Sequence, residues 1–304
     1  MFSFQSCQKF VNLNISFSRR KQGIKSRSFI RTVMSSGPAL ARNSAGEDQG
    51  SGPHIYFGTM TFAWSQSSSP VDDAVATDMI KRFRASGGTR IDTARIYAGG
   101  NTEPMLGRAL QSLRSTSSND DHKFLGSKAH PTSPGGLGNE GLRTQLAASC
   151  AACDVRSMAE FYLHQPDTEH SLAESLETAH MLVEEGLVGA IGLSNYHASE
   201  VDRCVELCKA NRWTIPTVYQ GLYNPLNRLV EEELLPVLQK HGIAFVAYNP
   251  LAAGLLTGKH QGKEDVVSGR FKNNPNYMPR FYTDSNHQAV EAIQAACTRH
   301  GLGM

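Results

Sequence analysis

From His54 onward the chain alternates short apolar runs with longer amphipathic stretches, seven times over, and few folds accommodate that rhythm. The strand-like runs fall at 54–60, 89–93, 123–127, 159–163, 188–193, 216–220 and 243–248. Helical stretches lie near 71–86, 102–114, 138–151, 171–186, 198–211, 229–241 and 285–300. This alternation marks βα units, in which parallel strands are joined by crossover helices. Punctuation agrees with it. Pro70-Val71-Asp72-Asp73 and Asp167-Thr168-Glu169-His170-Ser171 read as helix starts, with acids at the positive helix end. Gly87-Gly88, Gly186 and Gly242 sit where helices should stop.

At 304 residues the chain is long enough for one large α/β domain, and parallel αβ barrels commonly take about 250 residues. The expected division is a barrel over 51–304, preceded by an extension over 1–50. A net charge of +2 gives no support to a nucleic-acid or acidic-membrane partner. No run of about eighteen apolar residues predicts a membrane-spanning helix.

The basic excess is concentrated in the extension. Lys9, Arg19, Arg20, Lys21, Lys25, Arg27, Arg31 and Arg42 precede the first acid, Glu47, in a serine-rich stretch. Leaders of this kind are typical of mitochondrial or chloroplast targeting peptides. The other readings are a basic extension on a cytoplasmic protein, or translation that begins at Met34. Of the six cysteines, Cys150 and Cys153 are spaced C-x-x-C, and Cys204 and Cys208 lie one helical turn apart. No second C-x-x-C or paired histidines complete a zinc set, so plain thiols on helix faces are expected and no metal.

Four strand ends carry reactive groups: Asp92 and Tyr97 in Ile91-Asp92-Thr93-Ala94-Arg95-Ile96-Tyr97, Lys128 after Phe124-Leu125-Gly126-Ser127, His164 after Phe161-Tyr162-Leu163, and Ser194 with Asn195 after Gly192-Leu193. In a parallel barrel the carboxyl ends of all strands meet on one face, where active sites lie. A phenol, an amine, a carboxylate and an imidazole gathered there suggest a proton donor tuned by its neighbours. Taken singly, Asp92 can cap a turn, Tyr97 can be loop packing and His164 a core histidine. Lys128 is harder to explain away, because an unpaired lysine ending an apolar strand is costly. Residues 252–283 form the longest stretch without clear periodicity, and they hold Lys259, Lys263, Arg270, Lys272 and Arg280. A loop of that length is usually functional, and its cations suit a phosphate.

Beyond these features the chain resembles the aldo-keto reductases, and within them the aflatoxin aldehyde (succinic semialdehyde) reductase branch. The resemblance rests on IDTARIY (91–97), YLHQPD (162–167), GLSNY (192–196), PTVYQGLYN (216–224) and YNPLAAGLLTGK (248–259), in the family's order and spacing. It implies a (β/α)8 TIM barrel and NADPH-dependent reduction of an aldehyde, dialdehyde or semialdehyde. Tyr97 would be the proton donor, Lys128 its tuner, Asp92 the partner of Lys128, and His164 a ligand of the carbonyl oxygen. Ser194, Asn195 and Gln220 would hold the nicotinamide carboxamide beside Asp92, and Tyr248 would stack on its ring. Asn249, Pro250, Leu251, Gly254 and Leu256 match the pyrophosphate-clasping segment, with Lys259 and Arg270 as its cations. Tyr277 and Arg280 match a pair that binds the acidic end of a semialdehyde.

No G-x-G-x-x-G follows a strand, as suits a family that binds NADPH without a Rossmann domain. The family's eighth βα unit has no counterpart here, so the barrel is expected to be incomplete at its C-terminal end. Two other readings stay open. One is a nucleotide-binding regulatory subunit like the related potassium-channel β subunits, and the other is a reductase relic without activity. A homodimer is a further possibility in this family.

Overall fold

The computed structural model describes residues 54–303, apart from 66, 68, 115–123, 259–270, 272–273 and 275–276. The basic extension and Cys7 therefore lie outside the described residues. Seven strands form one parallel sheet in sequence order: β1 (Tyr56–Gly58), β2 (Arg90–Asp92), β3 (Leu125–Ala129), β4 (Met158–Leu163), β5 (Val188–Ser194), β6 (Val218–Leu222) and β7 (Ala244–Tyr248). Between and after them run α1 (Asp73–Ala85), α2 (Thr102–Leu113), α3 (Asn139–Cys153), α4 (Leu172–Glu184), α5 (Ala198–Asn211), α6 (Leu234–His241), α7 (Met278–Phe281) and α8 (Asp284–Arg299).

The sheet curls. Gln220 on β6 reaches Asp92 on β2 with a hydrogen bond of 2.9 Å. In a flat sheet those strands, four spacings apart, would be separated by about 19 Å. The expected seven-unit α/β barrel is thus what forms, with β1 and β7 as unjoined edges among the described residues. All five residues of β7 are only partly buried, as befits an edge, whereas β3 is buried along its whole length.

Alternation within the strands sorts side chains to two sides. On β3, Leu125 and Ala129 join the core under the helices, while Lys128 turns into the barrel. Tyr162 on β4 also points inward, and the room for its ring comes from a glycine. A Cβ at Gly192 on β5 would lie 2.2 Å from that ring. Glu160 lies on the same face of β4 and accepts hydrogen bonds from Tyr56 (2.9 Å) and Tyr162 (2.6 Å). Burial and this carboxylate push both phenols up in pKa, so they stay protonated.

Helix boundaries follow local chemistry. Asp72 caps α1 by accepting from the Val75 N–H at 2.8 Å, and Ser171 caps α4 by accepting from Glu174. Gly242 ends α6 at φ 67°, where a left-handed residue is required. Asp167 does not cap α4. Its carboxylate instead accepts from the backbone of Leu137 and Glu169, tying the β4 and β3 loops together. The helix read over 229–241 is broken into a 3-10 turn, Leu229–Glu231, and α6. Pro236 explains the late start, since proline is tolerated only in a helix's first turn.

The stretch from 252 is less irregular than its sequence pattern indicates. Ala252–Thr257 is a 3-10 segment, and α7 follows at Met278–Phe281. Both feed a second apolar cluster containing Ala252, Leu255, Leu256, Phe271, Phe281 and Val290. The strand read over 123–127 also runs two residues further, to Ala129, because Lys128 and Ala129 pair with Tyr162 and Leu163. The thiols of Cys150, Cys153, Cys204 and Cys208 are free on α3 and α5, and burial pushes those of Cys150 and Cys204 up to about 11 and about 12.

Gly107 shows how closely the helix layer packs. A Cβ there would come 2.2 Å from the carbonyl oxygen of Ala152 on α3. Gly107→Ala is therefore expected to destabilise the protein by about 1–3 kcal/mol through overpacking. The measurement is a urea unfolding curve; an unchanged midpoint would show that α2 and α3 do not approach so closely.

Candidate active site

The site is built from strand ends that the curl brings together. Asp92 is the last residue of β2, and its carbonyl accepts from the Thr59 N–H and hydroxyl at 3.0 and 2.9 Å. The carboxylate faces the barrel interior. Its Oδ1 accepts from Lys128 Nζ at 2.6 Å and from Gln220 Nε2 at 2.9 Å. Lys128 is fully buried, and its ammonium donates a second bond to the Thr93 carbonyl at 2.7 Å. Burial alone would drive this amine toward its neutral form. The Asp92 carboxylate and the Tyr97 oxygen overcome that and hold it above the ordinary lysine value.

Tyr97 stands beside the pair at the start of a 3-10 turn, Tyr97–Gly100. Lys128 Nζ lies 5.3 Å from its ring centroid and 5.6 Å from that of Tyr162. Burial raises the Tyr97 pKa and the nearby ammonium lowers it, and burial prevails. The phenol is consequently protonated near neutral pH, and the ammonium moderates its acidity without reversing it. That departs from a simple picture in which the lysine makes the phenol easy to ionise.

His164 follows β4 directly, and its backbone N–H donates to the Ala129 carbonyl at 3.0 Å. Its ring stands edge-on to Tyr97 at 6.1 Å and to His130 at 5.1 Å. Burial, the Lys128 charge and His130 push its pKa down to about 2. The imidazole is therefore neutral, and its buried Nδ1 has no hydrogen-bond partner among the described residues. His130, which ends the run from Lys128, was not singled out by sequence; a second imidazole just past a strand end was the available signal.

Ser194, Asn195, Gln220 and Tyr248 complete the rim. Asn195 adopts a left-handed backbone at φ 61°, which asparagine tolerates. Its amide nitrogen donates to the His164 carbonyl at 2.9 Å and lies 3.0 Å from Ser194 Oγ, and its oxygen accepts from the Tyr248 hydroxyl at 2.9 Å. Next in the chain, Asn249, Ala252, Ala253 and Gly254 all have positive φ. Pro250 is exposed and Leu251 is 53% exposed, whereas Leu256 is packed in the second apolar cluster. Lys259 and Arg270 lie outside the described residues.

Tyr277 and Arg280 form a separate group. Tyr277 stacks on Phe281 with centroids 5.9 Å apart and meets Trp64, in the loop after β1, at 6.2 Å. This contact links the loops that follow the first and last strands. Arg280 is exposed, with its guanidinium 5.2 Å from the Phe281 ring centroid.

Sequence reasoning passed over two buried carboxylates near the site. Glu103 bonds Arg95, Ser127 and Ser149, and Glu160 bonds the two interior tyrosines. Each left a trace: Glu103 shares the apolar face of α2 with Leu106 and Leu110, and Glu160 interrupts an apolar strand.

Comparison with known proteins agrees with this architecture. Residues 54–304 match the Aldo/keto reductase family. Aflatoxin B1 aldehyde reductase member 2 of Mus musculus is 36% identical over 252 residues, covering 80% of this chain and 66% of that protein. Aldo-keto reductase family 7 member A3 of Homo sapiens is 38% identical over 234 residues, covering 74% and 69%. The chain thus spans about two thirds of the length of these relatives. A solved thermostable aldo-keto reductase, in complex with the inhibitor epalrestat, superposes with a TM-score of 0.56 at 29% identity, covering 68% of this chain and 71% of that one.

The depressed pKa of His164 has a stability consequence. Between pH 6.5 and about 2 the unfolded chain binds a proton at this residue that the folded one excludes. Stability is therefore lost as pH falls below 6.5, by up to about 1.4 kcal/mol per pH unit. His164→Gln is expected to flatten the acid limb of a stability–pH curve measured by denaturant unfolding. Identical slopes for the two proteins would mean that His164 titrates normally when folded.

Proposed function

This chain belongs to the aldo/keto reductase family, and we propose that it reduces reactive aldehydes to alcohols with NADPH, using Tyr97 as the acid. The observation that carries the proposal is the buried Lys128–Asp92 pair of 2.6 Å, set beside a protonated Tyr97 with the neutral His164 ring edge-on to it. The relatives named for aldehyde reduction support the same reading.

The donor set suits a nicotinamide. A carboxamide needs both donors and acceptors, and Ser194, Asn195 and Gln220 present a hydroxyl and two amides at the end of β5 and in the middle of β6. Asn249, Pro250, Leu251 and Gly254 lie in a segment where Asn249, Ala252, Ala253 and Gly254 have positive φ, which offers backbone to a pyrophosphate, as Lys259 and Arg270 offer charge. When bound, NADPH supplies the hydride. The chain's own groups do the rest. His164, uncharged, orients the aldehyde oxygen by hydrogen bonding. Tyr97 donates its proton to that oxygen as negative charge develops there. Lys128 lies close enough to stabilise the phenolate left behind, and Asp92 holds the ammonium in place.

The second group supports a substrate with an acidic end. Arg280 offers an exposed guanidinium on a stacked aromatic base of Phe281 and Tyr277, suited to the carboxylate of a semialdehyde.

Fluorescence titration with NADPH, joined to turnover of an aromatic aldehyde, tests the role of Tyr97. Tyr97→Phe is expected to lower kcat by about 100-fold to 10,000-fold, the usual contribution of a general acid. Its affinity for NADPH should stay nearly unchanged. Cofactor affinity that collapses together with the rate would make Tyr97 a structural residue instead.

A further inference from the structure

The phenol that faces Lys128 is carried by an unfavourable turn. Directly after Tyr97, Ala98, Gly99 and Gly100 all adopt left-handed backbone, with φ of 48°, 64° and 92°. Such a run, with an alanine in it, persists only where the surroundings over-determine it. The surroundings here are specific. Arg95, two residues before Tyr97, reaches across the turn and donates from Nη1 to Glu103 Oε2 at 2.6 Å. Gly100 lies close under the same guanidinium, since a Cβ there would be 3.0 Å from Nη2.

Glu103 is fully buried in the first turn of α2, where the helix end favours an anion. Its other oxygen, Oε1, accepts from Ser127 Oγ at 2.6 Å, and Ser149 on α3 donates to Oε2 at 3.1 Å. Ser127 is the neighbour of Lys128 on β3, and the backbone N–H of Arg95 donates to the Lys128 carbonyl at 3.3 Å. One carboxylate therefore joins both sides of the phenol–ammonium contact: the turn that bears Tyr97, and the strand that bears Lys128.

We propose that Glu103 and Arg95 are positioning residues, which hold the left-handed turn after Tyr97 and so set the phenol against Lys128. A staple between helix and sheet would serve stability equally well from any place in the helix layer. This pair spans the Tyr97 turn itself. Its catalytic consequence rests on the reductase reading, while its geometric consequence does not.

The test compares Arg95→Met, Glu103→Gln and Arg95→Lys in the full chain. The first removes a cation and the second an anion, so a purely electrostatic influence on the phenol would act in opposite directions. Lost positioning acts in the same direction in both. The expected result is a kcat lowered by up to about 100-fold in Arg95→Met and Glu103→Gln, with NADPH affinity nearly unchanged. Arg95→Lys, which keeps a donor to Glu103, should recover much of the rate. An activity-independent readout is the NMR signal of Tyr97 in protein labelled with ζ-13C tyrosine, assigned with Tyr97→Phe. It should shift or broaden in both variants.

An unaltered Tyr97 signal, or kcat changes of opposite sign, would overturn the proposal. If the wild-type protein turns over no aldehyde, the reductase reading fails, and the NMR signal still decides the positioning role. Arg95 is partly exposed, so Arg95→Met settles the matter if Glu103→Gln does not fold.

Discussion

A lysine ammonium with no solvent exposure, paired at 2.6 Å with a carboxylate inside a curled sheet, is the constraint around which this molecule is arranged. Each charge alone would be costly to bury, and removing one partner of such a pair typically costs about 3–5 kcal/mol. The remaining polar valences are met as well. Thr93 supplies a carbonyl to the lysine, and Gln220 supplies an amide to the aspartate. The second of these bonds crosses the barrel from β6 to β2. The same interaction that neutralises the charge thus also ties together the two sides of the sheet.

Chemistry follows from this arrangement because parallel strands deliver their ends to one face. The protein surrounds one phenol with opposing influences: burial, which keeps it protonated, and an ammonium, which favours its ionised form. The imidazole on the other side is kept neutral by the same burial and the same ammonium. A protonated phenol and an uncharged imidazole are therefore held side by side without either having to titrate near pH 7. Deeper in the barrel, Glu160 and its two tyrosines form a polar layer that likewise pairs every group it buries.

Much of this was readable from the chain. Strand and helix periodicity located all seven βα units, because a sheet covered on both faces imposes continuous apolar runs. Asp92 and Lys128 stood out as charges ending such runs, and their meeting follows from topology. What could not be read were the partners that lie far apart in sequence. Gln220 donates to a carboxylate 128 positions away, and that contact depends on how far the sheet curls. Glu103 was not singled out, since its partners Ser127 and Ser149 belong to other elements. The order after Ala252 was also hidden, because it derives from a second apolar cluster assembled by Leu255, Phe271 and Phe281 and not from any periodic pattern.

If the Asp92–Lys128 pair acts as one unit on Tyr97, its two members cannot contribute independently. The direct measurement is a double-mutant cycle on the single-turnover rate of hydride transfer, followed by loss of reduced-nicotinamide absorbance, for Lys128→Met, Asp92→Asn and the two together. Coupled groups give strongly non-additive effects. The double variant should be no slower than Lys128→Met alone, since an aspartate with no ammonium to hold has no further part in the step. Rate losses that simply add would contradict the account, because Asp92 and Lys128 would then be acting on the reaction separately.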